Sequence, residues 1–329
     1  DLVARPLVPP SPFWHGSRDA DVSVILPTYN EAETIVEVIA DVVAELALEP
    51  FEFQVLVVDD DSPDGTARVV REHYRDMDRV AVLRRTEDRG LSSAVLDGLR
   101  FTRGRYAVVM DADGQHPAEE LPELLDALQD ADVVVGSRHV DGGSIEGWPL
   151  SRVLTSKVAT LLARGLVPAA RQLTDPMSGF FGVDRDVVDD GVLDLADPHG
   201  YKVLLELVAL VPDARLDEVP ITFRDREAGE SKLTLDEQLH YVEHVAGLAL
   251  LSLGLDERVT PPQLIRAAEA SALTAIALPF LFLGIILGDV DGAVGAALIA
   301  TSGAAIALAL GRVFRTGESW RESDGRRAA

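Results

Sequence analysis

Two acidic residues separated by one alanine, Asp111-Ala112-Asp113, follow the apolar run Ala107–Met110. In an extended stretch, residues two apart leave from the same face, so both carboxylates could grip one hard divalent cation. Gln115 adds an oxygen donor on that side. Mg²⁺ or Mn²⁺ suits such a set, because both accept oxygen ligands and diphosphate. A cation there would offset diphosphate charge and stabilise a departing nucleoside diphosphate. An Asp-x-Asp pair by itself also serves as a turn cap or a solvated acidic loop, and its place at a strand end favours the cation. A second acidic stretch, Asp59-Asp60-Asp61, follows Val55–Val58. Asp59 and Asp60 could bind a nucleoside through base N–H groups or ribose hydroxyls, or they could only shape the loop. Asp64-Gly65 just beyond is a turn signal.

Arginines are the natural complement to a phosphate, since the guanidinium forks onto its oxygens. Arg138 follows the apolar run Val133–Val135, Arg152 lies in Gly147-Trp148-Pro149-Leu150-Ser151-Arg152, and Arg226 precedes Gly229, Ser231 and Lys232. Each alone is more often a surface ion-pair partner. No Gly-x-Gly-x-x-Gly follows the first apolar run, and no Gly-x-x-x-x-Gly-Lys phosphate loop occurs.

The elements that must hold these residues are legible in the apolar pattern. Val22–Leu26 predicts a strand stopped by Pro27. Asn30 with Glu33 offers a helix cap, and Ile35, Ile39, Val42 and Leu46 form a helical stripe. Further strands are expected at Val55–Val58, Val80–Leu83, Ala107–Met110 and Val133–Val135, with helices around Ala94–Leu99 and Leu121–Leu128. This alternation predicts an α/β fold, a mostly parallel sheet flanked by helices. Such sheets bind ligands beyond the carboxyl ends of their strands. The polar segments recur at those ends: Pro27 to Glu31, Asp59 to Thr66, Asp111 to Pro117, and Gly136-Ser137-Arg138.

The whole chain has 329 residues, is 47% hydrophobic and contains no cysteine. A large core is within reach, and disulfides, thiolate metal sites and thiol catalysis are excluded. The formal net charge is −25, and only Lys157, Lys202 and Lys232 are lysines among 30 basic residues. Such a surface repels nucleic acid, so none is expected as a partner. Acidity with scarce lysine also points to a high-salt, halophilic cytoplasm, where screening blunts self-repulsion. Residues 1–20 have no apolar run of signal-peptide length.

Two charge-free runs, about 270–288 and 292–311, are separated only by Asp289-Val290-Asp291. Each approaches the roughly 20 residues a helix needs to cross a bilayer. A C-terminal transmembrane helical hairpin is expected. Arg266 before it and Arg312, Arg315, Arg321, Arg326 and Arg327 after it place both ends and the catalytic region in the cytoplasm of a multi-pass cell-membrane protein. The organisation expected is a tail at 1–20, a catalytic region at 21–235, juxtamembrane helices at 236–265, the hairpin within 266–315 and a tail at 316–329. Residues 236–255 fit an interfacial helix or ordinary packing against the catalytic region.

From Val22 to Leu233 the chain resembles the family-2 glycosyltransferases of GT-A fold, more narrowly the polyprenyl- and dolichyl-phosphate mannose synthases and their glucose-transferring relatives. The stretches that carry the resemblance are Val24 to Glu31, Val57 to Thr66, Asp111 to Pro117, Gly136 to Arg138, Asp175 to Phe181, Gly200-Tyr201-Lys202 and Arg226 to Leu233. It implies that Pro27, Tyr29, Glu31, Asp59 and Asp60, with Arg89, Asp111 and Ala112, line the nucleotide-sugar pocket. It implies that Asp111, Asp113 and Gln115 hold the metal. Arg138, Arg152, Ser178, Arg226 and Lys232 would meet the acceptor phosphate, and Asp175 would be a reserve base. The implied reaction is inverting transfer of a hexose, mannose from GDP-mannose, to polyprenyl or dolichyl phosphate at a lipid bilayer. The chain departs from the pattern at Gly90-Leu91-Ser92, where a glycine-leucine-glycine run is usual, and at Arg224, where relatives often carry an apolar residue. These departures leave the donor sugar open: a UDP-sugar carrying glucose or N-acetylhexosamine, and a lipid-linked glycan as acceptor, are alternatives. A membrane-tethered nucleotide-sugar-binding protein without catalysis is the alternative of another class. A nucleotidyltransferase shares the metal logic but lacks its glycine- and lysine-bearing loop here. The oligomeric state stays open.

Overall fold

The structure is a computed structural model that describes residues 20–102, 104–148, 150–197, 202–224 and 235–252, together with Ile285, Ile299 and Ser302. In chain order its strands are β1 (Val22–Thr28), β2 (Phe53–Asp59), β3 (Val80–Arg84), β4 (Tyr106–Val109), β5 (Val133–Ser137), β6 (Ser144–Ile145), β7 (Phe181–Asp184), β8 (Leu216–Pro220) and β9 (Thr222–Phe223). Its helices are α1 (Ile35–Leu46), α2 (Thr66–His73), α3 (Leu91–Phe101), α4 (Leu121–Ala127), α5 (Leu150–Leu166), α6 (Asp190–Leu193), α7 (Val203–Leu210) and α8 (Leu235–Ser252). They fall into two compact units.

The first unit carries every strand. Its seven-stranded sheet runs β3-β2-β1-β4-β7-β5-β8, and β6 pairs with β9 beside it. All its pairings are parallel except those of β7, which lies antiparallel between β4 and β5. β1 and β2 are buried along their whole length, as expected of parallel strands covered on both faces. The five strands expected from the apolar runs are present. β7 was not anticipated: it is four residues long and includes Gly182, which weakens any strand signal.

Two glycines set how closely helices approach the sheet. A Cβ on Gly98 of α3 would lie 2.5 Å from Ile25 Cγ2 on β1 and 3.2 Å from Val58 Cγ2 on β2. A Cβ on Gly182 of β7 would lie 2.5 Å from Leu128 Cδ1 and 2.6 Å from Leu124 Cδ2. In the first case the side chains of the sheet press on bare helix backbone, and in the second Leu124 and Leu128 press on bare strand backbone. The core under α1 and α4 is built from Val24, Leu26, Ile35, Ile39, Val55, Val57, Leu121, Leu124 and Val134.

The second unit holds α5, the 3₁₀ turn Pro168–Gln172, α7 and α8. α8 packs on α5 and α7, burying Tyr241, Val245, Ala246, Leu248, Ala249 and Leu250. The Tyr241 hydroxyl donates to the Ala159 carbonyl at 2.6 Å. Half-buried His244 lies 3.3 Å from the carboxylate of buried Glu206.

The expectation of a transmembrane hairpin is corrected. Among the described residues no helix is long and apolar enough to cross a membrane. The two longest, α5 with 17 residues and α8 with 18, each carry three charged side chains: Arg152, Lys157 and Arg164 in one, Asp236, Glu237 and Glu243 in the other. The intervals 270–288 and 292–311 lie outside the described residues apart from Ile285 and Ile299, with Ser302. The described residues form an α/β fold with no membrane-crossing helical hairpin among them, and a multi-pass placement with cytoplasmic ends has no support in these helices.

Candidate active site

The loops after β1, β2, β3 and β4 share a backbone feature. Each has a residue in the left-handed conformation: Asn30 (φ 63°), Asp61 (φ 57°) together with Gly65 (φ 86°), Asp88 (φ 49°) and Gly114 (φ 75°). Asn, Asp and Gly are the residues that tolerate it. Sharp turns there keep the loops close to the strand ends.

The first two loops are laced together. The Asn30 N–H donates to Ser62 Oγ at 3.0 Å, the Glu31 N–H to Thr66 Oγ1 at 3.1 Å, and the Ala32 N–H to Asp64 Oδ2 at 2.9 Å. The other Asp64 oxygen accepts from the Thr66 hydroxyl at 2.6 Å and the Thr66 N–H at 3.0 Å. Burial works against the Asp64 charge, but these hydrogen bonds from Thr66 and Ala32 outweigh it and hold its carboxyl below the usual range. Asp59 is buried and accepts from the Ser62 N–H at 3.1 Å and the Thr28 hydroxyl at 3.4 Å. Pro27 is buried within β1, Tyr29 is 56% exposed on the rim, and Glu31 is half-buried.

Asp60 is engaged internally. Its carboxylate accepts from the Gly90 N–H at 2.7 Å and pairs with the buried guanidinium of Arg85. Arg85 also reaches the Asp97 carboxylate at 2.8 Å and the Asp88 carbonyl at 2.6 Å. Burial pushes the Asp60 carboxyl up, against the Gly90 N–H and Arg85, which pull it down. The network ties the loop before α3 to the end of β2 and leaves Arg89, on that loop, exposed. Arg84 is turned to Asp61.

The β4 loop carries the paired acids. Asp111 and Asp113 are half-buried, while Ala112, Gln115 and His116 are buried. Asp113 Oδ1 accepts from the Gln115 N–H at 3.0 Å. Thr34 Oγ1 donates to the Ala112 carbonyl at 3.0 Å and to Glu31 Oε2 at 3.2 Å, joining this loop to the β1 loop. The Gln115 amide nitrogen donates to the Arg224 carbonyl at 3.0 Å, and the Arg224 N–H returns to the Gln115 carbonyl at 3.2 Å. His116 Nδ1 accepts from the Asp111 N–H at 3.0 Å, so the backbone of a paired acid rests on this imidazole. The His116 ring stacks on Phe180 (centroids 5.5 Å apart) and meets Phe223 edge-on at 5.4 Å. Gly179 passes so near Asp111 that a Cβ there would lie 2.9 Å from Oδ2.

Arg138 joins the same assembly. Its guanidinium lies over the Phe223 ring, 5.3 Å from the centroid, within cation–π range. Gly136, two residues earlier, has no side chain where the Phe180 ring sits: a Cβ would come 2.5 Å from Phe180 Cδ1. Ser178 is buried, its hydroxyl donating to the Gly136 carbonyl at 2.7 Å and accepting from the Phe180 N–H at 3.2 Å. That hydroxyl shapes the rim from within.

Of the expected site residues, the first unit thus gathers Pro27, Tyr29, Glu31, Asp59, Asp60, Arg89, Asp111, Ala112, Asp113, Gln115, Arg138 and Ser178. Arg152 and Asp175 belong to the second unit, where Arg152 stacks over Trp148 at 3.9 Å and Asp175 is fully buried. Arg226 and Lys232 lie outside the described residues. Reading the sequence missed the supporting roles of Thr34, Arg85, His116, Gly179 and Phe223. His116 had a local signal, five residues beyond Asp111, Gly179 lay in the stretch Asp175 to Phe181, and Arg85 stood with Arg84 and Arg89 as a possible diphosphate contact.

Among the described residues no group of three or more His, Asp or Glu side chains gathers as a metal cage. Two neighbouring carboxylates on a turn still fit Mg²⁺ or Mn²⁺, which are commonly held by one or two carboxylates and completed by substrate phosphates and water.

Residues 23–191 match the family described as Glycosyl transferase family 2. The chain is 42% identical over 225 residues to a dolichol-phosphate mannosyltransferase of Pyrococcus furiosus, covering 68% of this chain and 62% of that protein, less than two thirds of its length. It is 35% identical over 246 residues to the dolichol-phosphate mannosyltransferase of Saccharomyces cerevisiae, covering 73% and 91%. Its fold is similar to that of glucosyl-3-phosphoglycerate synthase from Mycobacterium tuberculosis, crystallised with Mn²⁺, UDP-glucose and phosphoglyceric acid, at TM-score 0.50 and 20% identity over 72% of this chain and 81% of that one. None of these names a halophile, so the high-salt reading rests on composition alone. By its matching residues and its sheet, the chain belongs to glycosyl transferase family 2, has the GT-A fold, and is related to the dolichyl- and polyprenyl-phosphate sugar synthases.

Proposed function

We propose that the chain transfers a hexose, mannose from GDP-mannose, to the phosphate of a polyprenyl or dolichyl phosphate, with inversion at the sugar carbon. The observation that carries this reading is one continuous assembly: the Asp111–Asp113 loop at the end of β4, joined through His116 and Phe223 to Arg138. In this reading it links carboxylates for a cation, through two packed rings, to a guanidinium for a phosphate. The names borne by the Pyrococcus and Saccharomyces relatives support the lipid-phosphate acceptor and the mannosyl donor.

In this reading a phosphate oxygen of the acceptor forms a bond to the anomeric carbon as the bond from that carbon to the nucleoside diphosphate breaks. Asp111 and Asp113, with Gln115, would hold Mg²⁺ or Mn²⁺, which when bound would offset charge on the departing diphosphate. Tyr29, Glu31 and Asp59 border the nucleoside with Pro27, and Asp60 acts through Gly90, holding the loop that presents Arg89. Arg138 orients the acceptor phosphate. A phosphomonoester, with its second pKa about 6, is largely ionised at neutral pH and needs no protein base. Asp175 would matter only for a sugar hydroxyl as acceptor.

The test offers the purified full chain GDP-mannose, UDP-glucose or UDP-N-acetylglucosamine, each with polyprenyl phosphate and Mn²⁺, and weighs the lipid product. A hexose added to the lipid phosphate from GDP-mannose is the expected result. A product from a UDP-sugar alone would reassign the donor, and no product from any donor would overturn the reading.

A further inference from the structure

Phe223 touches both halves of the assembly. One neighbour is the His116 ring, 5.4 Å away and edge-on; the other is the Arg138 guanidinium, 5.3 Å from its centroid. His116 in turn accepts the Asp111 N–H, and its ring is backed by Phe180, itself fully buried. Phe223 is buried as well. Its backbone is pinned on either side. Ile145 is its register partner in the β6–β9 pair. Arg224, the next residue, exchanges two hydrogen bonds with Gln115 and forms an ion pair with Glu119 at 2.7 Å. The two-residue strand β9 therefore cannot shift without moving Gln115, and Arg138 cannot keep its stacked place without the ring.

We infer that Phe223 is a positioning residue that holds Arg138 in register with the Asp111–Asp113 loop, so that the acceptor phosphate is met at a fixed place relative to the nucleotide end of the site. This rests on the proposed phosphate role of Arg138. A guanidinium on a flexible stem samples many rotamers, and contact with an aromatic face narrows that range. The ring contributes shape and a π face but no hydrogen bond, so its loss should be felt by the phosphate and hardly by the nucleotide.

The experiment measures binding without turnover. Farnesyl phosphate, and separately GDP with Mn²⁺, are titrated calorimetrically into the full chain and into Phe223→Leu, Phe223→Met, Phe223→Tyr, Arg138→Ala and the Phe223→Leu/Arg138→Ala double variant. Removing the ring should weaken farnesyl phosphate binding about three- to tenfold, the size of a cation–π contact, with GDP affinity within about twofold. Phe223→Tyr, which keeps the ring, should restore phosphate binding, and the double variant should bind phosphate no worse than Arg138→Ala. Phe223→Met fills the same space without a ring, so it serves if the leucine variant does not fold. Unchanged phosphate affinity in the ring-less variants, an equal loss for GDP and phosphate, or multiplying losses in the double variant would overturn the inference. A wild type that binds farnesyl phosphate as expected but transfers no sugar sinks the transfer reading and not this one; a wild type that binds no farnesyl phosphate sinks both.

Discussion

At the scale of single residues, the loop after β4 carries two half-buried acids, one held through its side chain and the other through its backbone. Asp113 accepts the Gln115 N–H, and Asp111 donates its own N–H to His116. In the proposed reading these carboxylates hold the cation, and removing one would forfeit several kcal/mol of charge stabilisation, about a thousandfold in kcat. Asp113→Ala is therefore expected to abolish measurable transfer, and EDTA should do the same to the wild type until Mn²⁺ or Mg²⁺ is restored. Full activity of the variant in EDTA would remove the cation from the account. Gly179 gives a subtler handle. An alanine Cβ there would press on Asp111 Oδ2 from 2.9 Å, displacing the carboxylate without removing it. Gly179→Ala should raise the Mn²⁺ concentration for half-maximal rate by about tenfold, as disturbed supports of metal ligands do, and a metal titration of initial rates checks it.

At the scale of elements, the rim depends on helices lying close to the sheet and on strands keeping register. α3 rests on β1 and β2 because Gly98 has no side chain. Gly98→Ala should cost about 1–3 kcal/mol through overpacking, read from the denaturant midpoint. At the far edge, β8 is clamped to β5 by Asp132. Its carboxylate accepts the Arg215 N–H at 2.7 Å and the Arg215 guanidinium at 2.6 Å. The side-chain hydrogen bond from Arg215 is the main reason its carboxyl titrates low, against a smaller opposing effect of burial. A carboxyl with a depressed folded-state pKa stabilises the fold above its unfolded value of about 3.9 and stops doing so as the pH falls through the folded value. Asp132→Asn should thus be less stable than wild type at neutral pH, with the gap closing at more acid pH. Parallel unfolding curves that keep the same separation down the acid range would rule out this clamp.

For the whole molecule the net charge of −25 dominates. Like charges on a compact body repel, and salt screens them over a Debye length of about 10 Å at 0.1 M and about 3 Å at 1 M. The thermal midpoint should therefore rise between 0.1 and 1 M KCl, and a fall would show that specific ion pairs such as Arg85–Asp60 outweigh the general repulsion.

What the sequence determined by itself is local in nature. Apolar runs such as Val55–Val58, and a stripe such as Ile35, Ile39, Val42 and Leu46, are periodic in adjacent residues, and those periods reveal strand and helix directly. With strands located, their carboxyl ends follow, and so does the rim that bears Asp59, Asp111 and Arg138. The tertiary structure decided everything that joins residues far apart in the chain. It reversed β7 and placed it between β4 and β5. It turned Asp60 inward onto Arg85 and brought Gln115 to Arg224, 109 positions away. It put Phe223 between His116 and Arg138. Strand direction and such pairings are chosen by packing and by the need to satisfy buried polar groups, neither of which has a period along the chain. Apolar length is ambiguous for the same reason: a run such as 270–288, which lies outside the described residues apart from Ile285, states how much surface avoids water, and not whether lipid or protein covers it.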